Sequence, residues 1–568
     1  MDIERVYQEW LSSPRVSEGD KETLRQMDDF TKKDAFFKDA EFGTGGMRGI
    51  LGPGTNRINI QNLGRVTVGF GQYLADLAPD AKQRGVVISH DNRFMSREFT
   101  LEFANILNQM GFNVYIFDAL RPTPELSFAV RAKKAIGGIM VTASHNPANN
   151  NGYKVYDENG CQLVPADAAV LLGYISKLPD ALHYEVPQDP NPGKTTVLSE
   201  EIDGPYIQAV ESIQIRPELD KSDFSLVYSP QHGASYESAM RVFKDCGYHV
   251  IPVAEQCVHD PAFGATLSPN PEVEKAWILP LEYARKYHSD LVVMTDPDGD
   301  RCGLAYLGKD GEYHRLTGNQ SGALLIDYVL AGRKEKGTLP ANGVIYDTIV
   351  TSNLGSIVAK SYGVATESFL TGFKYIGDRI HYYEKQGHGP EFLFGYEESY
   401  GCLLAPFVRD KDGVQAILMY TEMTLYYKSL GMDLGQAWQR LQQKHGFHYA
   451  TLRDVYFEGM EGNAKMKAMM EGLRENPLKE IDGVPVVEIR DYQKQIALKD
   501  GKEEKMDHLP KSNVLKYFLE DGSTICVRPS GTEPKVKFYL EAVGQSEDGL
   551  EEKTSRFNVA MRKLAGID

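Results

Sequence analysis

A strand–helix–strand pattern recurs three times in the first three-quarters of this 568-residue chain, and it constrains the fold more than any other feature. In the first copy Val86–Ser89 reads as a short apolar strand. A polar turn follows, then a helix from about Arg97 to Met110 with Phe99, Phe103, Ile106 and Met110 on one face. Gly111 ends that helix as a left-handed cap, and Val114–Phe117 reads as a second strand. The second copy runs from Leu226–Ser229 through Ala239, Met240, Phe243 and Cys246 to Gly247 and Val250–Val253. The third runs from Val344–Tyr346 through Leu354, Ile357 and Val358 to Gly363 and a further short strand. Strands joined by a single short helical crossover are parallel. Three related α/β domains follow, and a chain of this length cannot be built on one hydrophobic core.

The C-terminal quarter has another grammar. Ser523–Val527 reads as a strand, and along the next one Val536, Phe538, Leu540 and Ala542 alternate with Lys535, Lys537 and Tyr539. A helix near Glu551–Leu564 closes the chain. The expected class is therefore α/β: three related α/β domains with mixed sheets, then a smaller α+β domain, arranged around a central cleft. The expected boundaries are 1–205, 206–311, 312–441 and 442–568, with residues 1–40 a charged, helical appendage on the first domain.

Charge narrows the partners. The chain carries 62 Lys and Arg against 79 Asp and Glu, a net −17. Such a surface repels nucleic acid and anionic membranes, so an anionic substrate needs a local basic pocket. The N-terminus has no apolar stretch flanked by basic residues, and no apolar run is long enough to span a bilayer. Cys161, Cys246, Cys257, Cys302, Cys402 and Cys526 are scattered without metal-ligand spacing and read as free thiols, mostly core filler. A cytoplasmic protein is expected, a monomer or weak homodimer acting on a small molecule.

Several segments carry chemistry. Thr142-Ala-Ser-His-Asn-Pro147 follows the apolar strand Gly138–Val141, and ligands of open α/β sheets bind beyond the carboxyl ends of strands. It lacks the glycines of a hydrolase nucleophile elbow, and alone it would pass for an Asn-Pro turn. Leu291–Met294 leads into Thr295-Asp-Pro-Asp-Gly-Asp-Arg301, where Asp296, Asp298 and Asp300 crowd a turn tightened by Pro297 and Gly299. Two carboxylates about 4 Å apart repel by about 4 kcal/mol at an effective dielectric near 20. A divalent cation removes that penalty, and an all-oxygen ligand set favours magnesium. A calcium-binding helix–loop–helix is excluded, because Arg301 and Leu307 stand where its glycine and closing glutamate belong. An aspartyl phosphatase is disfavoured because the loop lies mid-chain, after a complete α/β domain. In Arg528-Pro-Ser-Gly-Thr-Glu-Pro-Lys535 a guanidinium fork, two hydroxyls and a glycine combine as a phosphate cradle. Phe42-Gly-Thr-Gly-Gly-Met-Arg-Gly49 is a flexible loop ending in a cation that fits neither GxGxxG nor the Walker pattern. Gly395-Tyr-Glu-Glu-Ser-Tyr-Gly401 offers carboxylates and a hydroxyl suited to sugar hydroxyls, although a solvated acidic turn explains it nearly as well.

Together these segments closely resemble the α-D-phosphohexomutases of bacterial phosphoglucomutase type, in motif order and over essentially the whole chain. The resemblance implies a phosphotransferase that interconverts α-D-glucose 1-phosphate and D-glucose 6-phosphate, using Mg2+, a phosphoserine and glucose 1,6-bisphosphate. Ser144 matches the phosphorylated serine, and the resemblance puts the metal on Ser144, Asp296, Asp298 and Asp300. Arg48 and Lys154 match cations beside the reacting phosphate, with His145 and Lys154 as acid/base candidates and Arg301 facing the same site. Thr371, Gly372 and Lys374, with Glu397 and Ser399, match the sugar-recognition loops. Arg528, Ser530, Gly531 and Thr532 match the clamp on the phosphate that stays. Tyr396 stands between Gly395 and Glu397 where the mannose-handling branch has glycine directly before glutamate. Phosphomannomutase, phosphopentomutase and magnesium-dependent phosphatase activities stay open.

Overall fold

The three strand–helix–strand copies fold with the parallel pairing their spacing predicts. Val86–His90 pairs with Val114–Phe117, Ser225–Ser229 with His249–Pro252, and Gly343–Thr348 with Ala365–Phe369. The first crossover helix, Ser96–Gln109, buries Phe99, Phe103 and Ile106, and Gly111 follows at φ +90°. The second differs from expectation. Ser238, Ala239, Val242 and Phe243 form its buried face, while Met240 and Cys246 are half-buried. Two apolar stripes overlap on that helix, and packing on the sheet selects the one containing compact Val242. Ile357, expected inward on the third helix, is likewise exposed.

The structure is a computed structural model that describes residues 2–43, 45–457, 462–530 and 535–566. It divides into two compact units: Met1–Gly318 with Phe373–Asp433, and Asn319–Gly372 with Leu434–Asp568. The third α/β segment contributes residues to both.

The first unit contains two mixed sheets of matching design. One orders its strands Gly46–Ile50, Asn150–Tyr156, Gly137–Val141, Val86–His90, Val114–Phe117, Thr195–Leu198. The other runs Tyr313–Leu316, Cys302–Leu307, Leu291–Thr295, Ser225–Ser229, His249–Pro252. In each, two antiparallel neighbours are followed by parallel ones. Gly137–Val141 and Leu291–Thr295 are therefore topological counterparts, and the serine and aspartate loops leave the same end of corresponding strands. Both strands are fully buried, which explains their unbroken apolar character. The first forty residues form the helices Ile3–Ser12, Glu18–Arg25 and Asp29–Phe36, capped by Asp2, Ser17 and Asp28, whose side chains accept N–H groups of the first turns. Tyr7, Trp10, Leu24 and Phe36 pack with Ala181 and Leu182. Among the described residues no cysteine forms a disulfide, and Cys161, Cys302, Cys402 and Cys526 are buried.

In the second unit an antiparallel sheet runs Phe447–Tyr456, Lys535–Gly544, Thr524–Pro529, Leu515–Leu519, Val484–Asp491, Ile496–Lys499, Lys502–Lys505. Val536, Phe538, Leu540 and Ala542 face its core, as their alternation requires, and pack with Phe557 and Met561 of the helix Leu550–Leu564. Glu541, buried on the opposite face, joins this sheet to the turn before Leu354–Ser361. Its carboxylate accepts hydrogen bonds from the Ser352 hydroxyl, Asn353 N (3.0 Å), Asn353 Nδ2 (2.8 Å) and Thr524 Oγ1 (3.2 Å), and His448 Nδ1 lies 2.9 Å away. Glu541→Ala strands these buried donors, so we expect a loss of about 3–5 kcal/mol in this unit's resistance to urea. Burial raises the Glu541 pKa, but His448, Ser352 and Asn353 outweigh it and hold the carboxyl below its usual 4.5. The stabilisation is thus complete above pH 4.5 and lost as pH falls through the lower folded value, a loss the alanine variant should lack.

Candidate active site

Ser144 follows the strand Gly137–Val141 and adopts φ +52°, a left-handed conformation uncommon for a residue with a Cβ. Its N–H donates to Thr142 Oγ1 at 2.7 Å. The neighbouring strand Asn150–Tyr156 passes close beneath the loop. A Cβ at Gly152 would lie 2.4 Å from the Met47 carbonyl and 2.5 Å from the Thr142 carbonyl, so only glycine fits there. That strand pairs with Gly46–Ile50 in a register that sets Arg48 opposite Gly152 and Gly46 opposite Lys154.

The aspartate loop is closed by its own backbone and held by three neighbours. Gly299 N donates to Asp296 O (2.9 Å) and Arg301 N to Asp296 Oδ1 (3.0 Å). Thr123 N donates to Asp298 O (2.8 Å), Ala234 N to Pro297 O (2.8 Å) and Gly413 N to Gly299 O (3.0 Å). Gly299 sits at φ +68°, where a Cβ would meet Pro122 at 2.7 Å.

The two loops meet. Ser144 Oγ donates to Asp296 Oδ2 at 2.8 Å, across 152 residues of sequence, and stands 3.2 Å from His145 Nδ1. Carboxylate oxygens of Asp296, Asp298 and Asp300 lie within 4.8 Å of one another, all buried. Among the described residues, Asp298 Oδ1 and Asp300 Oδ1 are buried without a hydrogen-bond partner. Orphaned hard oxygens around one point suit a divalent cation.

Lys154 Nζ lies 2.5 Å from Asp298 Oδ2 and 3.3 Å from Asp300 Oδ2. Burial lowers its pKa, but these two acids outweigh burial and hold the ammonium above its usual value. Burial, then Asp298 and Asp300, raise Asp296 well above the carboxylate range. Asp300 moves the other way, because Lys411 and Lys154 overcome its burial. Burial, then Arg301 and Arg48, lower the His145 pKa well below its usual 6.5. Arg48 is thus close enough for its charge to reach the His145 ring. Arg301 Nη1 donates to Glu272 Oε1 at 2.6 Å, and its Nε is 3.9 Å from Asp300 Oδ1.

Of the expected sugar-loop residues, Lys374 and Glu397 share the first unit with these loops. Burial pushes the Lys374 pKa down to about 8, against the pull of Cys161, Asp410 and Glu397. Burial raises Glu397, opposed by Lys411 and Arg301. Ser399 is half-buried on the same turn. Thr371 and Gly372 belong to the second unit, beyond the strand Ala365–Phe369. Arg528 also lies there, paired with Lys537 across the sheet, and Ser530 N donates to Lys535 O at 2.8 Å. Gly531 and Thr532 lie outside the described residues.

Sequence reading missed four contributors. Lys411 Nζ is 3.3 Å from Asp300 Oδ2 and 2.9 Å from Asp410 Oδ1. Thr123 Oγ1 donates to Asp298 Oδ2 at 3.1 Å. Asp91 and Arg93, beyond the strand Val86–His90, lie under the serine loop. A signal was present for Asp91 and Arg93, polar groups beyond a buried strand, and for Lys411, before the apolar helix Gly413–Ser429, whereas Thr123 only opens the helix Thr123–Lys133.

Four family descriptions match the chain in order. They are phosphoglucomutase/phosphomannomutase alpha/beta/alpha domain I over residues 39–179, domain II over 204–308, domain III over 317–444, and the C-terminal domain over 461–553. The chain belongs to the phosphoglucomutase/phosphomannomutase family. Phosphoglucomutases of Staphylococcus epidermidis and Staphylococcus aureus are similar to this family member. The first is 36% identical over 88% of this chain and 90% of its own, the second 34% over 94% and 95%. Two solved structures share the fold at a TM-score of 0.66 and 18% identity. One is a phosphoglucomutase/phosphomannomutase family protein from Burkholderia thailandensis, covering 92% of this chain and 97% of its own. The other is the exocytosis-sensitive phosphoprotein pp63/parafusin from Paramecium, covering 93% and 95%. Among the described residues, no helix is long and apolar enough to cross a membrane.

Proposed function

We propose that this phosphohexomutase interconverts α-D-glucose 1-phosphate and D-glucose 6-phosphate by carrying a phosphoryl group on Ser144, with glucose 1,6-bisphosphate as the intermediate. One observation carries the reading: a serine oxygen in a left-handed turn lies 2.8 Å from the first acid of a buried aspartate triad. The names of the staphylococcal relatives support glucose as the sugar.

A hydroxyl oxygen of the sugar attacks phosphorus while the bond from phosphorus to Ser144 Oγ breaks, giving the bisphosphate. His145, whose Nδ1 is 3.2 Å from Oγ, and Lys154 are the proposed acid/base pair, one taking the sugar-hydroxyl proton as the other supplies a proton to Oγ. The sugar then turns end for end, and Oγ takes the other phosphoryl group back. Phosphoryl transfer has a loose transition state, so positioning and charge neutralisation supply most of the rate. Arg48, Arg301 and Lys154 bring fixed positive charge to the equatorial oxygens. Magnesium is the proposed ion, held by Asp296, Asp298, Asp300 and a phosphoryl oxygen on Ser144; a bound divalent cation withdraws charge from the transferring group. Lys374, Glu397, Ser399, Thr371 and Gly372 are the proposed readers of sugar hydroxyls, and Arg528 and Ser530, with Gly531 and Thr532, the holders of the phosphate that stays. The proposed domain boundaries remain 1–205, 206–311, 312–441 and 442–568, with a cytoplasmic location and a monomer or weak homodimer.

The test compares initial rates on glucose, mannose, ribose and N-acetylglucosamine 1-phosphates, each with a catalytic amount of its bisphosphate. Glucose 1-phosphate should give the highest kcat/KM, and net release of inorganic phosphate in its place would overturn the reading. Arg528→Ala separates binding from metal use. We expect KM to rise about tenfold or more, from loss of a charge-assisted hydrogen bond. Half-saturating magnesium should change less than about twofold, because Arg528 is no metal ligand.

A further inference from the structure

One buried guanidinium gathers the carbonyls of the serine loop. Arg93 Nη2 donates to Ser144 O and Asn146 O, each at 2.5 Å, and Nη1 donates to Pro147 O at 2.7 Å and Asn150 O at 3.0 Å. Its Nε faces Asp91 Oδ2 at 3.2 Å, and its plane lies 5.0 Å from the Phe263 ring. Asp91 continues the network: Oδ2 accepts from Thr142 Oγ1 at 2.6 Å, and Oδ1 accepts from Ser96 Oγ at 2.9 Å and Arg93 N at 3.0 Å. Thr142 Oγ1 in turn accepts the Ser144 N–H at 2.7 Å. Both sides of the Ser144 residue are therefore tied to the pair Asp91–Arg93, its N–H through Thr142 and its carbonyl directly. Asp91, Arg93, Thr142 and Ser144 are each 3% exposed or less.

We propose that Arg93, Asp91 and Thr142 are positioning residues that lock the Ser144 backbone in its left-handed conformation and so aim Oγ at the aspartate triad. The proposal rests on the reading of Ser144 as the phosphoryl carrier. A serine free of constraint leaves φ +52° for the broad negative-φ region, which would swing Oγ off its 2.8 Å line to Asp296. The loop turns its carbonyls inward around one planar cation, and this needs the fixed donor fork of arginine. Lysine offers one ammonium point and cannot span four carbonyls. None of the three side chains contacts a reacting atom, so their effect belongs in the transfer step and not in substrate affinity.

Thr142→Val and Thr142→Ser test this with the full chain, because they differ in the hydroxyl that joins Asp91 to Ser144. Thr142→Val should lower kcat for glucose 1-phosphate by about tenfold or more, the equivalent of one lost hydrogen bond in aim. KM should stay within about threefold, and Thr142→Ser should recover most of the loss, since uniform binding is untouched. Arg93→Lys should lower kcat by about 100-fold, as expected for an ångström-scale misplacement. Circular dichroism and intact mass of Ser144-phosphorylated protein accompany each variant. If Arg93→Lys does not fold, the threonine pair still decides. Equal kcat losses in valine and serine variants, a loss confined to KM, or wild-type kcat in Thr142→Val would each overturn the positioning role. Failure of the parent reading looks different: the wild-type protein itself would acquire no phosphate on Ser144 from glucose 1,6-bisphosphate, and the proposal would fall with it.

Discussion

Ser144→Ala is expected to lower mutase turnover by about 10⁴-fold or more, because it removes the atom that accepts and returns the phosphoryl group. The fold should be unchanged. Ser144 Oγ makes a hydrogen bond to Asp296 and a contact with His145, both within the site, while the contacts that shape the loop run through backbone atoms and Arg93. Alanine at φ +52° bears the same Cβ crowding as serine, so no new backbone strain arises. Two measurements check this: a coupled assay for glucose 6-phosphate, and intact mass after incubation with glucose 1,6-bisphosphate. The wild-type protein should gain one phosphate that a sugar monophosphate removes, and the variant none. Wild-type turnover in the variant would remove Ser144 from the chemistry.

Asp298→Asn should raise half-saturating magnesium by about 100-fold and depress kcat alongside it, since even groups behind a ligand alter metal affinity by about 10–100-fold. Asp298 occupies the middle of the triad. Its buried Oδ1 has no hydrogen-bond partner among the described residues, and its Oδ2 already meets Lys154 and Thr123. Asparagine keeps the volume and the Oδ1 acceptor but removes a negative charge and turns an acceptor toward Lys154 into a donor. The cation thus loses attraction, and Lys154 loses one of the two acids that raise its pKa. Isothermal titration of magnesium into the resting protein reads the first effect without turnover. An unchanged affinity there, with activity lost, would move the metal away from Asp298.

Much of this protein was legible from its chain. The parallel pairs at Val86, Ser225 and Gly343, the cap at Gly111 and the alternation from Val536 to Ala542 depend on residues within a few positions of one another. Periodicity records such short-range order directly. The aspartate triad stood out because three carboxylates crowded beyond a buried strand have few structural reasons to be there, whereas the Ser144 loop, which alone passes for an Asn-Pro turn, was marked by the motifs taken together. Choosing between overlapping apolar stripes was harder. Val242 faces the core and Met240 only half so, and the sheet packed against that helix made the choice.

The chain by itself thus determined its strands, helices and parallel crossovers, and marked the loops proposed as reactive. Only tertiary structure decided which distant charges share one site. Lys411 meets Asp300, Thr123 meets Asp298, and Arg93 gathers the carbonyls around Ser144. The reason is energetic: a buried charge or carbonyl must find a partner or bear its full desolvation cost. That partner is set by which strand ends converge in space, a property no local window of sequence contains.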